Sequence, residues 1–468
     1  MQSVTSSPSA AVASSNEAPL ASNQLHKIIF AASLGTLFEW YDFYLYGSLA
    51  VFFGGLFFPT HNETAGLLAS LATFGAGFGV RPLGAIVFGH IGDLVGRKYT
   101  FLITMATMGV GTALIGFLPT YETWGLFATI LLVTLRLLQG LALGGEYGGA
   151  ATYIAEHVPD AKRGYYTSFI QTTATLGFFL SMGVIGLTRS SFGEEEFKAW
   201  GWRIPFLISF LLLAVSVYIR LRMAESPLFM RLKSSGKRST NPLKESFTNP
   251  VNLRYVLLAL FGATAGQGVV WYTGQFYALT FLQAALKLDW KTAYTLVSLA
   301  LLITTPLFVV FGALSDKIGR KRIMLGGCAL AALTYVPIYM AMKHFTNPDG
   351  LPAADPNQVK YLPMVLLLAL QMVYVCMVYG PIAAFLVELF PTRIRYTSMS
   401  LPYHLGNGWF GGFLPLVATA VTASQWASSN FGKNSIYTGL IYPIAVCLLT
   451  LLVGGLFLHE TREHRIDS

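Results

Sequence analysis

The sequence predicts an all-α integral membrane protein: twelve spanning helices in two six-helix pseudo-repeats around a central cavity. Three observations predict it. Of the 468 residues, 54% are hydrophobic and 11% charged, and mean hydropathy is +0.56, whereas a soluble domain carries about 25% charged residues. The apolar residues fall into runs long enough to cross a bilayer. And the stretch GHIGDLVGRK at 89–98 recurs as GALSDKIGRK at 312–321, an offset of 223 residues.

A spanning helix needs ~20 mainly apolar residues. Twelve runs satisfy this: 28–57, 65–91, 99–118, 125–156, 164–188, 204–222, 254–284, 292–315, 323–342, 361–390, 396–424 and 435–458. Their even number puts both termini on one side. With the termini inside, 21 Lys and Arg residues fall in inner loops and tails and 8 in outer loops. Basic loops mark the cytoplasmic face, so both termini are expected there. The net charge of +9 is thus a topology feature, and no nucleic-acid partner is implied.

Residues 1–25 are rich in Ser and Ala and lack Lys and Arg. They have neither the basic start nor the apolar core of a secretory signal and read as a disordered cytoplasmic tail. A bundle at 26–222 follows, then a basic, Pro- and Ser-containing cytoplasmic linker at 223–253. A second bundle at 254–460 and a short cytoplasmic tail at 461–468 complete the chain. The halves share a second echo: EHVPDAKR from Glu156 to Arg163 recurs as ELFPTRIR from Glu388 to Arg395, an offset of 232. The first pair of stretches follows runs two and eight, the second follows runs four and ten. Parallel repeats of six helices are a known membrane architecture.

Cys328, Cys376 and Cys447 lie far apart in apolar runs. They read as small buried hydrophobes, with neither a disulfide framework nor a zinc site indicated. Glycines at 140, 144 and 148 and at 408 and 412 recur every four residues, a spacing that lets helices approach closely.

A charge at mid-bilayer costs at least ~2.5–3.5 kcal/mol on insertion scales. The first half holds five such residues, Glu39, Asp42, Arg81, Arg136 and Glu146, and the second half holds none at similar depth. At ~1.5 Å per residue all five lie near the middle third of their spans. Glu39 and Asp42, three apart, share a face. If two acids pair with the two arginines, one carboxylate is left over. A buried carboxylate without a cationic partner binds a proton more readily than one in water. Asp42 or Glu39 is the candidate proton carrier; a locked salt-bridge network that orients helices is the competing reading.

The arginines bear on what fills the cavity, because a guanidinium fork suits a carboxylate. Arg81, Arg136 and Gln139 face a neutral polar and aromatic second half: Gln267, Trp271, Gln275, Gln371, Tyr374, His404 and Asn407. Gln267, Trp271 and Gln275 are four apart and share one helical face. An organic acid or zwitterion suits this set, and the aromatic rings also suit a quaternary ammonium.

Several stretches resemble the major facilitator superfamily. Its loop G-x-x-x-D-x-x-G-R-K occurs in both halves, and RLLQG from Arg136 to Gly140 resembles a further motif of that superfamily. EWYDF at 39–43, FGVRPLG at 78–84, GGEY at 144–147 and WGWRIPF at 200–206 are similar to the metabolite:proton symporter family. That family holds carriers for proline and betaine, shikimate, citrate and 2-oxoglutarate. The resemblance covers residues 26–460. The long C-terminal coiled coil of the proline and betaine carriers has no counterpart, so osmosensing through such a coil is not expected.

The resemblance implies a major facilitator fold and proton-coupled symport of a small polar metabolite by alternating access, in a bacterial inner membrane. Uniport of the same substrates and symport of a quaternary-ammonium osmolyte are the alternatives. The partners expected are substrate, protons and lipid, with the chain a monomer and no cofactor or metal. The resemblance also implies a gate that latches the cytoplasmic side. Its residues are Gly89, Asp93, Gly96, Arg97 and Lys98, the second copy Gly312, Asp316, Gly319, Arg320 and Lys321, and the echoed Glu156, Arg163, Glu388 and Arg395. Asp93 is placed to accept from free backbone N–H groups at a neighbouring helix start. An enzyme is not expected: the chain has no H-E-x-x-H, no phosphate-binding loop and no sizeable soluble domain.

Overall fold

The structure, a computed structural model, describes residues 22–464 except 60–61, 96, 146–147, 149–150, 153, 156–157, 223–241, 350–353 and 392–393. Of 22–32, 89–101, 219–220, 222, 242–243, 356 and 396 it describes the backbone alone.

Each of the twelve apolar runs is helical where described. The first half holds α1 (Ser22–Ser48, continuing as Ala50–Phe57), α2 (Glu63–Gly79, continuing as Arg81–Val95) and α3 (Arg97–Phe117). It goes on with α4 (Leu126–Gly144), α5 (Arg163–Phe192) and α6 (Arg203–Leu207, continuing as Ser209–Arg222). The second half holds α7 (Pro250–Ala285), α8 (Trp290–Thr304, continuing as Leu307–Ile318) and α9 (Arg320–Thr346). It ends with α10 (Tyr361–Tyr379, continuing as Ile382–Leu389), α11 (Arg395–Leu405, then Gly406–Gly412 and Leu414–Thr422) and α12 (Ile441–Phe457). Among the described residues, eight helices are long and apolar enough to cross a membrane, or nine with the pair Glu194–Gly201 and Arg203–Tyr218, bent by 45°. The other three runs, those of α1, α3 and α11, are helical too: α1 turns at Leu49, α3 is one helix whose residues with described side chains include the apolar stretch Leu102–Phe117, and α11 widens at its glycines.

Local chemistry starts these helices. Asn62 caps α2 by accepting from the Thr64 and Ala65 N–H groups at 3.0 and 3.2 Å. Asn249 caps α7 with Pro250 in its first turn, and Asp289 caps α8 through Thr292 N–H at 2.9 Å. Each cap satisfies an N–H that the helix itself leaves open. Leu187, Leu333 and Leu362 are more than two-thirds exposed. Facing lipid, such side chains carry no hydrophobic penalty, so packing between helices must come from shape.

The glycine rows supply that shape. A Cβ at Gly140 would overlap the carbonyl of Gly77, and one at Gly144 the carbonyl of Arg81, so α4 lies directly on the α2 backbone. Gly408 and Gly412 do the same between the halves. A Cβ on Gly412 would come within 2.5 Å of Phe78, and one on Gly408 within 2.8 Å of the Phe78 carbonyl. α7 contains three wide π-type turns, Leu260–Thr264, Thr273–Tyr277 and Phe281–Ala285, and α11 one, Gly406–Gly412. Each such turn rotates the residues beyond it, and such turns are frequent at functional sites.

Candidate functional site: a buried seam between two halves

Arg81 and Arg136 are buried, yet neither makes an ion pair among the described residues. Both lie on aromatic rings. The Arg81 guanidinium sits 3.9 Å from the Phe78 ring centre, 4.5 Å from Phe43 and 5.1 Å from Trp40. Arg136 lies 4.2 Å from Phe43 and 4.7 Å from Tyr46, so Phe43 touches both cations. Counting charges pairs these arginines with two of the three acids Glu39, Asp42 and Glu146; among the described residues they lie on rings instead, and such a cation–π contact is worth ~2 kcal/mol or more when desolvated. Glu146 lies outside the described residues.

Asp42 is turned the other way. It accepts from the Ser209 hydroxyl on α6 at 2.5 Å. Glu39, on the same face of α1, is also buried. Arg136 donates to the Phe43 carbonyl at 3.2 Å and to Gln139 at 2.7 Å, and Gln139 in turn donates to Thr112 on α3 at 2.7 Å. Gln139 therefore braces Arg136 within the first half, because the amide has α3 rather than the seam beside it.

A continuous aromatic path leads from Arg81 into the second half. Phe78 meets Tyr272 edge-on at 5.0 Å, Tyr272 meets Trp271 at 4.8 Å, and Trp271 lies 6.2 Å from Tyr379. The Tyr379 and Tyr403 hydroxyls are hydrogen-bonded at 2.7 Å, and the His404 ring lies 5.5 Å from Tyr403. Tyr44 joins from α1, 5.3 Å from Trp271. Along this path, Arg81 Nε and one terminal nitrogen, Trp271 Nε1 and both ring nitrogens of His404 are buried without a hydrogen-bond partner among the described residues, as are both polar atoms of Gln371 on α10. Buried polar groups are normally satisfied, so this set has donors and acceptors to offer a guest.

Not every expected lining residue faces that path. Tyr374 is buried, but its hydroxyl accepts from Thr334 on α9 at 3.0 Å, so it points away from the seam. Tyr379, five residues on, takes the inner position. Gln267 and Asn407 hold each other by two amide hydrogen bonds, 3.0 and 2.9 Å, a self-satisfied pair between α7 and α11. Gln275 instead reaches across the halves to Thr175 on α5 at 3.2 Å. The wide turn starting at Thr273 lies between them, so Gln267 and Gln275 meet different neighbours.

The basic end of the bundle is closed by an ionic cluster. Arg163, first residue of α5, donates to Glu388 at 3.0 Å, and Arg320 donates to the same carboxylate at 3.0 and 3.3 Å. Arg163 also pairs with Asp160. Arg320 further donates to Asp316 at 2.6 Å and to Ser315 at 2.7 Å. Asp316 accepts from the Gly164 and Tyr165 N–H groups, both at 2.8 Å. An acid at a helix start is favoured by the exposed N–H groups and the helix dipole. In the second copy of the repeated loop, Asp316 thus makes the contact expected of Asp93. Gly312 lets α8 approach α5, since a Cβ there would come within 2.5 Å of Ser168. Gly319 takes a positive φ of 106°. Arg395 donates to the Phe390 carbonyl at 3.0 Å.

The segment after α12 completes the cluster. Thr461 donates to Glu388 at 2.8 Å, and Glu460 accepts from the Arg320 and Lys321 N–H groups at 2.8 and 3.2 Å. Sequence reasoning missed Thr461, Glu460, Ser315 and Ser209, because nothing local marks which hydroxyl a distant carboxylate will meet. Gly96 and Glu156 lie outside the described residues, as do the side chains of Gly89, Asp93, Arg97 and Lys98.

Comparison with known proteins fits this geometry. The family model described as Major Facilitator Superfamily matches residues 29–401. The chain belongs to that superfamily. It is a transporter rather than an enzyme, and it is similar to metabolite carriers within the superfamily. It is 36% identical over 453 residues to the inner membrane metabolite transport protein YhjE of Escherichia coli (strain K12), covering 95% of this chain and 96% of that one. It is 32% identical over 422 residues to the alpha-ketoglutarate permease of the same organism, covering 90% and 93%. Among solved structures, the crystal structure of a D-xylose-proton symporter shares the fold: TM-score 0.71, 18% identity, coverage 94% of this chain and 99% of that one. In this superfamily member the buried seam is where the two six-helix halves meet.

Proposed function

We propose that this chain is a proton-coupled symporter of a small organic acid or zwitterion, working by alternating access in a bacterial inner membrane with both termini cytoplasmic. One observation carries the reading. Arg81, buried at the seam, holds guanidinium donors that no acceptor fills among the described residues. A substrate carboxylate supplies that acceptor and gains a charge-assisted, bidentate contact. The facing groups, Trp271 Nε1, Gln371 and His404, offer the rest of the molecule hydrogen bonds. The similarity to YhjE and to the alpha-ketoglutarate permease supports this class of substrate.

Asp42 is the proton carrier in this reading. It is buried, no cation pairs with it among the described residues, and Ser209 holds it. Its charge is costly there, so protonation and helix movement are coupled. The ionic cluster at the basic end is the cytoplasmic latch, formed when the site is closed to that side.

A zwitterion with a quaternary ammonium is the second reading, favoured by the aromatic wall of Tyr44, Trp271 and Tyr272 beside Arg81. Carboxylate on Arg81 and ammonium on the rings would satisfy both ends. The test is uptake by purified carrier in proteoliposomes, using labelled dicarboxylates, amino acids and betaines with and without an inward proton gradient. Accumulation above the outside concentration, dependent on the gradient, is expected. Uptake that only equilibrates would make the protein a uniporter. A substrate without a carboxylate would overturn the role of Arg81.

A further inference from the structure

The two ends of α5 are both engaged by the second half. At its first residue stands the ionic latch. At the other end, 26 residues on and ~39 Å away at 1.5 Å per residue, Arg189 lies over the indole of Trp290, the first residue of α8, at 4.4 Å. Glu194 grips the guanidinium through both carboxylate oxygens, one at 2.7 Å. Phe197 and Phe52 close the remaining sides at 5.3 and 5.8 Å. The Arg189 side chain is only 10% exposed.

Beside it, Tyr294 on α8 donates to the Ser48 carbonyl on α1 at 2.6 Å, and Ser48 is hydrogen-bonded to Ser181 on α5 at 2.9 Å. A cavity of about 620 Å³ adjoins this contact. It is lined by Phe52, Glu194 and Lys198 from the first half and by Gln283, Ala284 and Lys287 from the second. Phe52 and Glu194, which touch the Arg189 guanidinium, thus also line that cavity.

We infer that Arg189 and Trp290 form the outer gate of the transport cycle, a cation–π clasp braced by Glu194 that closes the end of α5 opposite the ionic latch. The inference rests on the proposed alternating-access reading. Glu194 fixes the guanidinium on the first half, so closure costs little side-chain entropy. Trp290 offers a face rather than a charge, so the clasp opens without leaving an uncompensated counter-ion on α8. A full ion pair across the halves would be harder to part, because each buried charge would lose its partner. Arg189 and Trp290 are positioning residues: neither touches the seam where the substrate is placed.

The experiment uses the full chain with Cys328, Cys376 and Cys447 replaced by Ser and with Ser181→Cys behind the clasp. An impermeant maleimide is applied from the outer side of oriented proteoliposomes. Trp290→Ala and Arg189→Gln are each expected to raise the labelling rate by about threefold or more, the low end of what losing a cation–π contact gives. The double variant should gain no more than the larger single one. Arg189→Lys keeps the charge and should label near the parent rate; Trp290→Phe keeps the ring but loses the indole N–H that donates to Glu194, and should label between the parent and Trp290→Ala. Unchanged labelling in both Trp290→Ala and Arg189→Gln, strictly additive effects, or Trp290→Phe behaving like Trp290→Ala would each overturn the clasp. Labelling needs no substrate, so a failed uptake assay with labelling as expected would refute the substrate reading and leave the clasp standing.

Discussion

The Arg163 guanidinium donates to the Glu388 carboxylate at 3.0 Å, joining residues 225 apart on opposite halves of the chain. Arg320 binds the same carboxylate, so one acid joins two buried cations, each of which also holds an acid of its own, Asp160 or Asp316. Deleting one partner of a buried pair costs about 3–5 kcal/mol where the other charge is left uncompensated; here each arginine keeps one acid, which puts the cost at the lower end. Glu388→Gln is expected to lower the thermal stability of the purified carrier by that order and to cut net uptake sharply. A melting curve superimposable on the parent's would show that the contact holds nothing.

Thr461 gives that acid a further hydrogen bond, at 2.8 Å. A hydrogen bond to a charged group is worth about 1.5–3 kcal/mol. Thr461→Val should therefore destabilise the carrier by less than Glu388→Gln, while Thr461→Ser should restore the parent's melting temperature. Equal melting of the Val and Ser variants would place the contribution in packing instead of in the hydroxyl.

Gly140 and Gly144 sit where any Cβ would overlap the α2 backbone. Backbone cannot move aside as a side-chain tip can, and overpacking a tight interface costs about 1–3 kcal/mol or more. Gly140→Val and Gly144→Val should give little folded carrier in detergent, judged by size-exclusion profile. Gly55→Ala, with nothing within 4 Å of the added Cβ, is the matched control and should behave as the parent does.

Asp42 and Ser209 are linked at 2.5 Å. Asp42→Asn keeps the shape and removes the titratable group. Gradient-driven accumulation should vanish while exchange of substrate across the membrane continues, and Ser209→Ala should fall between the two. Measuring both activities on the same vesicles checks this. Undiminished accumulation in Asp42→Asn would move the proton elsewhere.

Much of the architecture was legible before any coordinates. Hydropathy set the twelve runs, and the repeated loops set the two halves, because lipid demands long apolar helices and charge accumulates only at their ends. The charges in the apolar runs of the first half, four of which, Glu39, Asp42, Arg81 and Arg136, are buried, were likewise visible. Their partners were not. Counting three acids against two bases suggests ion pairs; among the described residues Arg81 and Arg136 both lie on the Phe43 ring instead. An aromatic face attracts a guanidinium once water is gone, and a linear sequence does not say which ring will be there.

Positions within the seam show the same division. Tyr374 and Tyr379 are both tyrosines of α10, yet one bonds Thr334 and the other Tyr403. Gln267 and Gln275 are two turns apart, but the wide turn at Thr273 separates their neighbours. The sequence by itself determined that this chain spans a membrane twelve times as a duplicated bundle, with mid-span charge in its first half. Tertiary packing alone decided which groups meet. Ion pairs, caps across helices and ring contacts depend on distances of a few ångströms between residues hundreds of positions apart, as Arg163 and Glu388 are, and local periodicity carries no record of those distances.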